Sequence, residues 1–446
     1  MQKEAPAAAP PKRSLLRRMF TPVAQGQPGD GPTSPKDRRK AFQILFFSLV
    51  CMGVGQSLMF AILPPVSRQL GLSETEVGAI FAISATIWVF TSGFWGHRSD
   101  HWGRRPLIIM GLMAFAISTA LFATVVQLGL LGIIAGFWVI YPLLVASRSI
   151  YGIFGSGAHP AAQGYIADRT SPSERTEAVS TLSAAFGLGT TVGPGIGAAL
   201  VVFGFVAPLY FVAFIAACSA FAIWRFLPER TRPSERERPK RLSVFDRRVF
   251  PFIIANVLLG TAGAIPIQTV SFLFMDVLQL DTDNAIQFTG VGLMASSVAA
   301  LFAQLVLVQR FRLTSDFLLR WGVIVAFASS VLFVVGNTFG LLVAALVLSG
   351  LGFGLARPGI SAAASLSVGH DQQGAVAGLT GAAGAAGFIF APLIGNPLYE
   401  TMGPHAPYVL SAILILVLAI FIVLTPRLRT AHAKPSSDVE TSVPES

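Results

Sequence analysis

Long apolar runs separated by short polar breaks extend from residue 41 to residue 425. A helix needs ~20 apolar residues to cross the hydrocarbon core of a bilayer. The pattern predicts twelve crossings, at 41–64, 76–96, 106–128, 137–165, 175–203, 206–227, 249–275, 286–309, 317–336, 339–366, 374–399 and 406–425. The expected fold class is therefore an all-α membrane protein, with six-helix bundles at 41–227 and 249–425 around a central cavity. Residues 1–40, rich in Pro, Ala and Gly, read as a disordered tail. Residues 228–248 read as a charged linker and 426–446 as a second tail. No apolar core lies close to residue 1, so no cleavable signal is expected.

Composition agrees with this pattern. Charged residues make up 12% of the chain, about half the ~25% of soluble domains, too few to cover several soluble cores. The formal charge of +10 would suit nucleic acid, but the placement of the basic residues argues against it. Nine Lys or Arg lie in the first tail, three in 97–105, two in 168–176, nine in 225–248, three in 310–320 and three in the last tail. These segments hold 29 of the 32 and fall on one side of the predicted topology. Of the others, Arg68 is outside, and Arg148 and Arg357 lie within spans. Positive loops stay inside, so both termini are expected in the cytoplasm, with the bilayer and not nucleic acid as partner. Cys51 and Cys218 both sit in apolar runs, which excludes a disulfide framework and a thiolate metal cluster. No metal site and no cofactor are expected.

The two halves resemble each other. Gly189, Gly193, Pro194 and Gly197 match Gly387, Ala391, Pro392 and Gly395 at an offset of 198, which His159-Pro160 and Arg357-Pro358 share. Ala207-Pro208 recurs as Ala406-Pro407 at 199. Parallel duplicated halves are what an alternating-access transporter needs, with its substrate site between them.

Candidate chemistry lies on the fourth and tenth spans. Arg148, Gly152, Gly155 and His159 fall within about 40° of one another on a regular helix, which puts Arg148 and His159 ~16 Å apart on one face. Gln163 lies about 60° from Arg148. The tenth span mirrors this with Gly350, Gly354, Arg357 and Ser361. With Gln56 and Gln268, the residues Arg148, His159, Gln163 and Arg357 make up a candidate substrate cavity. A mid-span arginine costs ~2.5–3.5 kcal/mol on insertion scales. It should face a cavity, or else bond backbone carbonyls between helices. His159 can titrate near neutrality or serve as an interhelical hydrogen-bonder. No Asp or Glu falls in mid-span; Asp276 and Glu400 lie at the outer ends of spans seven and eleven. Buried charge without compensation is expensive. An anionic or zwitterionic substrate would neutralise the arginines; on the competing reading they are structural and the substrates are cations.

Between spans two and three runs Gly93-Phe-Trp-Gly96-His-Arg-Ser-Asp100-His-Trp-Gly103-Arg104-Arg105-Pro106. It reads as a tight turn, with Gly103 free to take positive φ and Pro106 starting a helix. This segment resembles the cytoplasmic signature of the major facilitator superfamily. Arg148, then Tyr165-Ile-Ala-Asp168 and Glu174-Arg175, look like the helix-4 region of its drug:proton antiporters, including the tetracycline exporters. Gly189-x-x-x-Gly193-Pro194-x-x-Gly197 looks like that branch's antiporter signature, although glycine at every fourth position is also an ordinary close-packing device.

The resemblance covers residues 41–425. It implies a cytoplasmic gate of Gly96, Asp100, Gly103, Arg104, Arg105, Asp168 and Arg175. There Asp100 would cap the start of helix 11 and Arg104 would pair with Asp168. It implies further a monomeric, proton-coupled exporter of small organic molecules in the cytoplasmic (inner) membrane of a bacterium. A siderophore or organic-anion exporter and an uptake permease are the alternatives. One departure is that helix 1 carries Ser48, Gln56 and Ser57 but no buried acid. An enzyme would need a buried nucleophile with its base or metal ligands, and His159 has no acidic or histidine neighbour in its span.

Overall fold

The computed structural model of the chain describes residues 35–168, 170, 172–227, 243–311, 313–369 and 372–425. The expectations for the tails and most of the linker fall outside the described residues. Among those described, twelve spans are long and apolar enough to cross a membrane. They are α1 Arg39–Gln69, α2 Glu74–Ser99, α3 Arg104–Leu130, α4 Phe137–Ile166, α5 Thr181–Phe203 and α6 Ala207–Phe226. The second six are α7 Phe250–Leu278, α8 Thr282–Val308, α9 Ser315–Val335, α10 Phe339–Leu366, α11 Ala375–Met402 and α12 Ala406–Leu424. Large apolar side chains such as Phe90, Trp138 and Phe214 point outward, as a lipid-facing surface requires.

Pairings of the first six helices recur six helices later. α1 packs on α5 as α7 does on α11, α3 on α6 as α9 on α12, and α2 on α4 as α8 on α10. The halves meet through α2 with α11, α5 with α8, and α1 with α7 and α8. Three helix starts at the end away from the basic loops, those of α2, α8 and α10, are capped by side chains. Ser73 accepts from the Glu76 amide while the Glu76 carboxylate accepts from the Ser73 amide, and Asp281 and Thr338 cap α8 and α10.

Three local features depart from the regular geometry read from the sequence. The helix of α2 continues to Trp102, so Gly96 and Asp100 are helical. Gly103 alone, at φ 96°, turns the chain into α3. Residues Ala303–Val308 of α8 are π-helical. Most consequential is α4, where a 3-10 turn at Gly155–Gly157 separates helices Phe137–Phe154 and Ala158–Ala167. The common face drawn for Arg148 and His159 assumed 100° per residue throughout, and that spacing is interrupted here. The cause is close packing on α2. A Cβ at Gly157 would lie 2.8 Å from that of Trp95. Trp95 Nε1 donates to the Ile153 carbonyl at 2.5 Å, and the Thr91 and Ser156 hydroxyls bond at 2.9 Å.

The apolar core is continuous across the halves at one end and divided at the other. One buried cluster runs from Leu58, Ile62 and Val66 of α1 to Phe272, Phe274 and Ile286 of the second half, at the end away from the basic loops. Toward the basic end, Val249, Phe252, Ala255, Ile360, Ala364 and Ile422 form a separate cluster confined to the second half.

Candidate functional site

A cavity of about 390 Å³ opens where the core divides. Its wall comes from α7, α10 and α11 and includes Asn256, Arg357, Ser361, Ser365, Thr380 and Phe388. Arg357 is exposed in this cavity. Ser361 and Ser365 follow it at one-turn intervals on α10, so a guanidinium and two hydroxyls form a row of donors. Asn256 Nδ2 and Thr380 Oγ1 are engaged with the Phe252 and Val376 carbonyls at 2.9 Å. Phe388 stacks on Phe60 of α1 at 6.0 Å, and Phe60 packs against Phe81 of α2 at 5.0 Å. This aromatic set brings both halves to the inner limit of the cavity.

The other residues expected in a substrate cavity are placed differently. Arg148 is 2% exposed, with its guanidinium 5.3 Å from the Tyr151 ring. One nitrogen reaches Gln56 Oε1 at 3.5 Å, while Nε and Nη1 have no hydrogen-bond partner among the described residues. The contact at 3.5 Å is long for a hydrogen bond. Arg148 therefore sits behind Gln56 and does not line open space. Gln268 is 1% exposed and its amide has no partner among the described residues. His159 and Gln163 bond each other at 3.0 Å, and the His159 ring stands edge-on to Phe186 of α5 at 5.7 Å.

At the basic end Arg104 lies across the end of α4. Its Nε donates to Asp168 Oδ2 at 3.2 Å and its Nη1 to Ser99 Oγ. Gly164 leaves room for this, because a Cβ there would be 2.6 Å from the guanidinium carbon. Arg105 donates to the Trp224 carbonyl of α6. These contacts tie α2, α3, α4 and α6 within one half. The side chains of Asp100 and Arg175 lie outside the described residues. The Arg104 and Asp168 side chains are 15% and 32% exposed, and such pairs contribute about 1 kcal/mol or less. Arg104→Ala is therefore expected to leave thermal stability in detergent nearly unchanged while slowing transport. Full-rate flux at matched membrane expression would remove the gate assignment.

The helix seams are built from glycine. Gly189 and Gly193 of α5 face α1, where a Cβ on Gly189 would lie 2.9 Å from the Val54 amide and one on Gly193 2.6 Å from the Val54 carbonyl. Gly387 of α11 meets the backbone of Gly260 on α7 in the same way. Ala391 is buried among Ala264 and Ile265. Gly197 and Gly395 make looser contacts, at 3.4 and 3.5 Å. Pro194 and Pro392 each present a carbonyl to the opposite half, where a Cβ on Gly290 of α8 would lie 2.6 Å from the first and a Cβ on Gly78 of α2 2.7 Å from the second.

Sequence reasoning missed a polar cluster at the far end. Arg68, at the end of α1, donates twice to Asp276 of α7, at 2.5 and 2.7 Å, and twice to Glu74 of α2, at 3.0 and 2.6 Å. Tyr399 of α11 donates to Asp276 at 2.7 Å. Gln69 donates to Thr282 at 2.8 Å, Asn396 to the Glu74 carbonyl at 2.8 Å, and the Thr75 amide to Glu400 at 3.1 Å. The signal available was Arg68 itself, a lone basic residue on the side poor in positive charge.

The sequence profile of the Major Facilitator Superfamily matches residues 45–324 and, in a second match, 312–445. Multidrug resistance protein 2 of Bacillus subtilis (strain 168) is 28% identical over 406 residues, covering 86% of this chain and 94% of its own. Quinolone resistance protein NorA of Staphylococcus aureus (strain MRSA252) is 25% identical over 368 residues, covering 81% and 90%. A bacterial homolog of the human lysosomal transporter Spinster, in an inward-facing and occupied crystal structure, superposes with a TM-score of 0.69 at 14% identity. It covers 89% of this chain and 98% of its own. Twelve spans among the described residues, two like-packed halves and a profile match over nearly every span lead to one conclusion: the chain belongs to the Major Facilitator Superfamily and is a multi-pass membrane transporter, not an enzyme.

Proposed function

We propose that the protein exports small organic molecules in exchange for protons across the cytoplasmic membrane of a bacterium, as a monomer working by alternating access. Both termini and the basic loops then face the cytoplasm, residues 41–227 and 249–425 are the two moving bundles, and the conformation described is open to the cytoplasm. The observation that carries this reading is the division of the apolar core. The halves share one buried cluster at the outer end and part at the basic end, where the cavity lies. The relatives named for multidrug and quinolone resistance support the direction of transport and the class of cargo. The basic residues gathered at one end support the orientation.

Inverted membrane vesicles containing the protein test the proposal, with a quinolone and a lipophilic-cation dye as probes. Acidifying the lumen should drive accumulation of at least one probe, and collapsing the pH difference with nigericin should abolish it. Accumulation indifferent to the pH difference would overturn proton coupling. Failure of every probe in a resistance-type panel would overturn multidrug export.

A further inference from the structure

Arg357 is a cation for which the protein supplies no counter-charge. It is exposed in the cavity, no hydrogen bond or ion pair to it is formed among the described residues, and no Asp or Glu lines the cavity with it. Ser361 and Ser365 stand one and two turns along the same helix face, without a hydrogen bond to the described protein. In the same cavity wall Phe388 offers an apolar surface, continued by Phe60 and Phe81. The first half adds a second cation, Arg148, held behind Gln56 with two nitrogens unpartnered among the described residues.

Water solvates Arg357 while the cavity is open. Alternating access requires the cavity to close around its cargo, and closure removes that water. Closing over an unpaired guanidinium is costly, and breaking or withholding the partner of a buried charge is among the larger penalties in protein interiors. A cargo with its own negative group removes the penalty through charge-assisted, bidentate hydrogen bonds of the kind guanidinium makes to carboxylate. We infer that Arg357, with Ser361 and Ser365, binds the anionic group of the transported molecule, and that the cargo is an amphiphile with a carboxylate or similar acid beside an apolar body seated on Phe388. The cargo can be zwitterionic, since nothing in the cavity wall opposes a second charge directed toward the cytoplasm. This inference rests on the transporter reading above and specifies its substrate class.

The test measures binding to the full-length protein purified in detergent, by equilibrium dialysis, so that neither direction nor coupling enters. Three naphthyl probes share one apolar body: 4-(1-naphthyl)butanoate, the corresponding alcohol and the corresponding trimethylammonium. The carboxylate is expected to bind about tenfold or more tightly than the alcohol, the gain of a charge-assisted over a neutral contact. Arg357→Gln should remove that margin and leave the alcohol's affinity unchanged, while Arg357→Lys should keep part of it. Ser361→Ala should weaken carboxylate binding by a few-fold. Because Arg357 has no described partner, these variants should elute and melt as wild type does. The inference is overturned if the trimethylammonium binds as well as the carboxylate, if Arg357→Gln leaves the margin intact, or if the carboxylate does not bind at all. Carboxylate binding that depends on Arg357, without pH-driven accumulation in vesicles, would instead overturn the exporter reading alone.

Discussion

Gly193→Leu is expected to yield no working transporter, and Gly193→Ala and Gly189→Ala to lower its thermal stability. On α5 these glycines let the backbone lie directly against α1, and the atoms a new Cβ would meet are mostly backbone: the Val50 and Val54 carbonyls and the Val54 amide. Ser57 Oγ also stands in the way at Gly193. It cannot swing clear without losing its bonds to the Gly53 and Val54 carbonyls at 3.1 and 3.2 Å. Overpacking a tight interior costs about 1–3 kcal/mol, and within a membrane close backbone approach is itself a main source of helix association. Gly187 lies two residues before Gly189, on the other side of the same helix, and a Cβ there would meet nothing within 4 Å. Gly187→Ala is thus the matched control, expected to be neutral or slightly stabilising. In the second half, Ala391→Leu should be milder than Gly193→Leu because a methyl is already seated there, whereas Gly387→Ala should behave like Gly189→Ala. Fluorescence-detected melting in detergent and flux at matched expression measure all of these. Equal damage from Gly187→Ala and Gly189→Ala would show that close backbone contact with α1 does not govern the effect, since Ala is the better helix former at both positions.

How far each feature was legible from sequence follows from the range of the interactions that make it. The twelve spans depend on runs of apolar residues and local charge, which the chain displays directly, and their bounds match the described helices to within a few residues. The break in α4 depends on Trp95 of α2 pressing against Gly157, a contact between segments about sixty residues apart in sequence, so periodicity along one helix carries it forward as regular. Arg148 shows the same limit. Its position within a span was evident, but whether it faced open space depended on Gln56 of α1, 92 residues earlier. Arg357 matches His159 and not Arg148 in the repeat and is open to the cavity, so the two arginines are not equivalent positions and the surroundings of one do not predict those of the other. The outer cluster was hidden for a different reason. Its acids sit at span ends, where carboxylates are common, and what makes them a set is the arrival of α1, α2, α7 and α11 at one point.

That outer cluster carries the last expectation: Arg68→Ala should shift the protein toward the outward-open state and slow transport. Arg68 bridges α1 and α2 to α7 with four donated hydrogen bonds, two to each carboxylate, and its guanidinium lies 5.1 Å from the Phe272 ring. The Arg68 and Asp276 side chains are 28% and 32% exposed, so water screens the pair without dissolving it. Hydrogen bonds to charged groups contribute about 1.5–3 kcal/mol net when well placed, and partial exposure argues for the lower part of that range. Even ~1.4 kcal/mol moves a two-state equilibrium about tenfold, enough to change which end of the transporter is open most of the time. Asp276→Asn should act in the same direction but less strongly, since the amide keeps the shape and can still accept from Arg68 or Tyr399. Gln69, Asn396 and Thr75 supply further bonds between the halves, so the outer end should loosen without the protein unfolding. Spin labels at Leu131 and Met402, both exposed at this end in opposite halves, give the readout in a background without Cys51 and Cys218. Their separation should lengthen and broaden in Arg68→Ala, and less so in Asp276→Asn. Distance distributions identical to wild type, together with unchanged flux, would mean that the bridge is surface decoration and that the outer end is held shut by its apolar core alone.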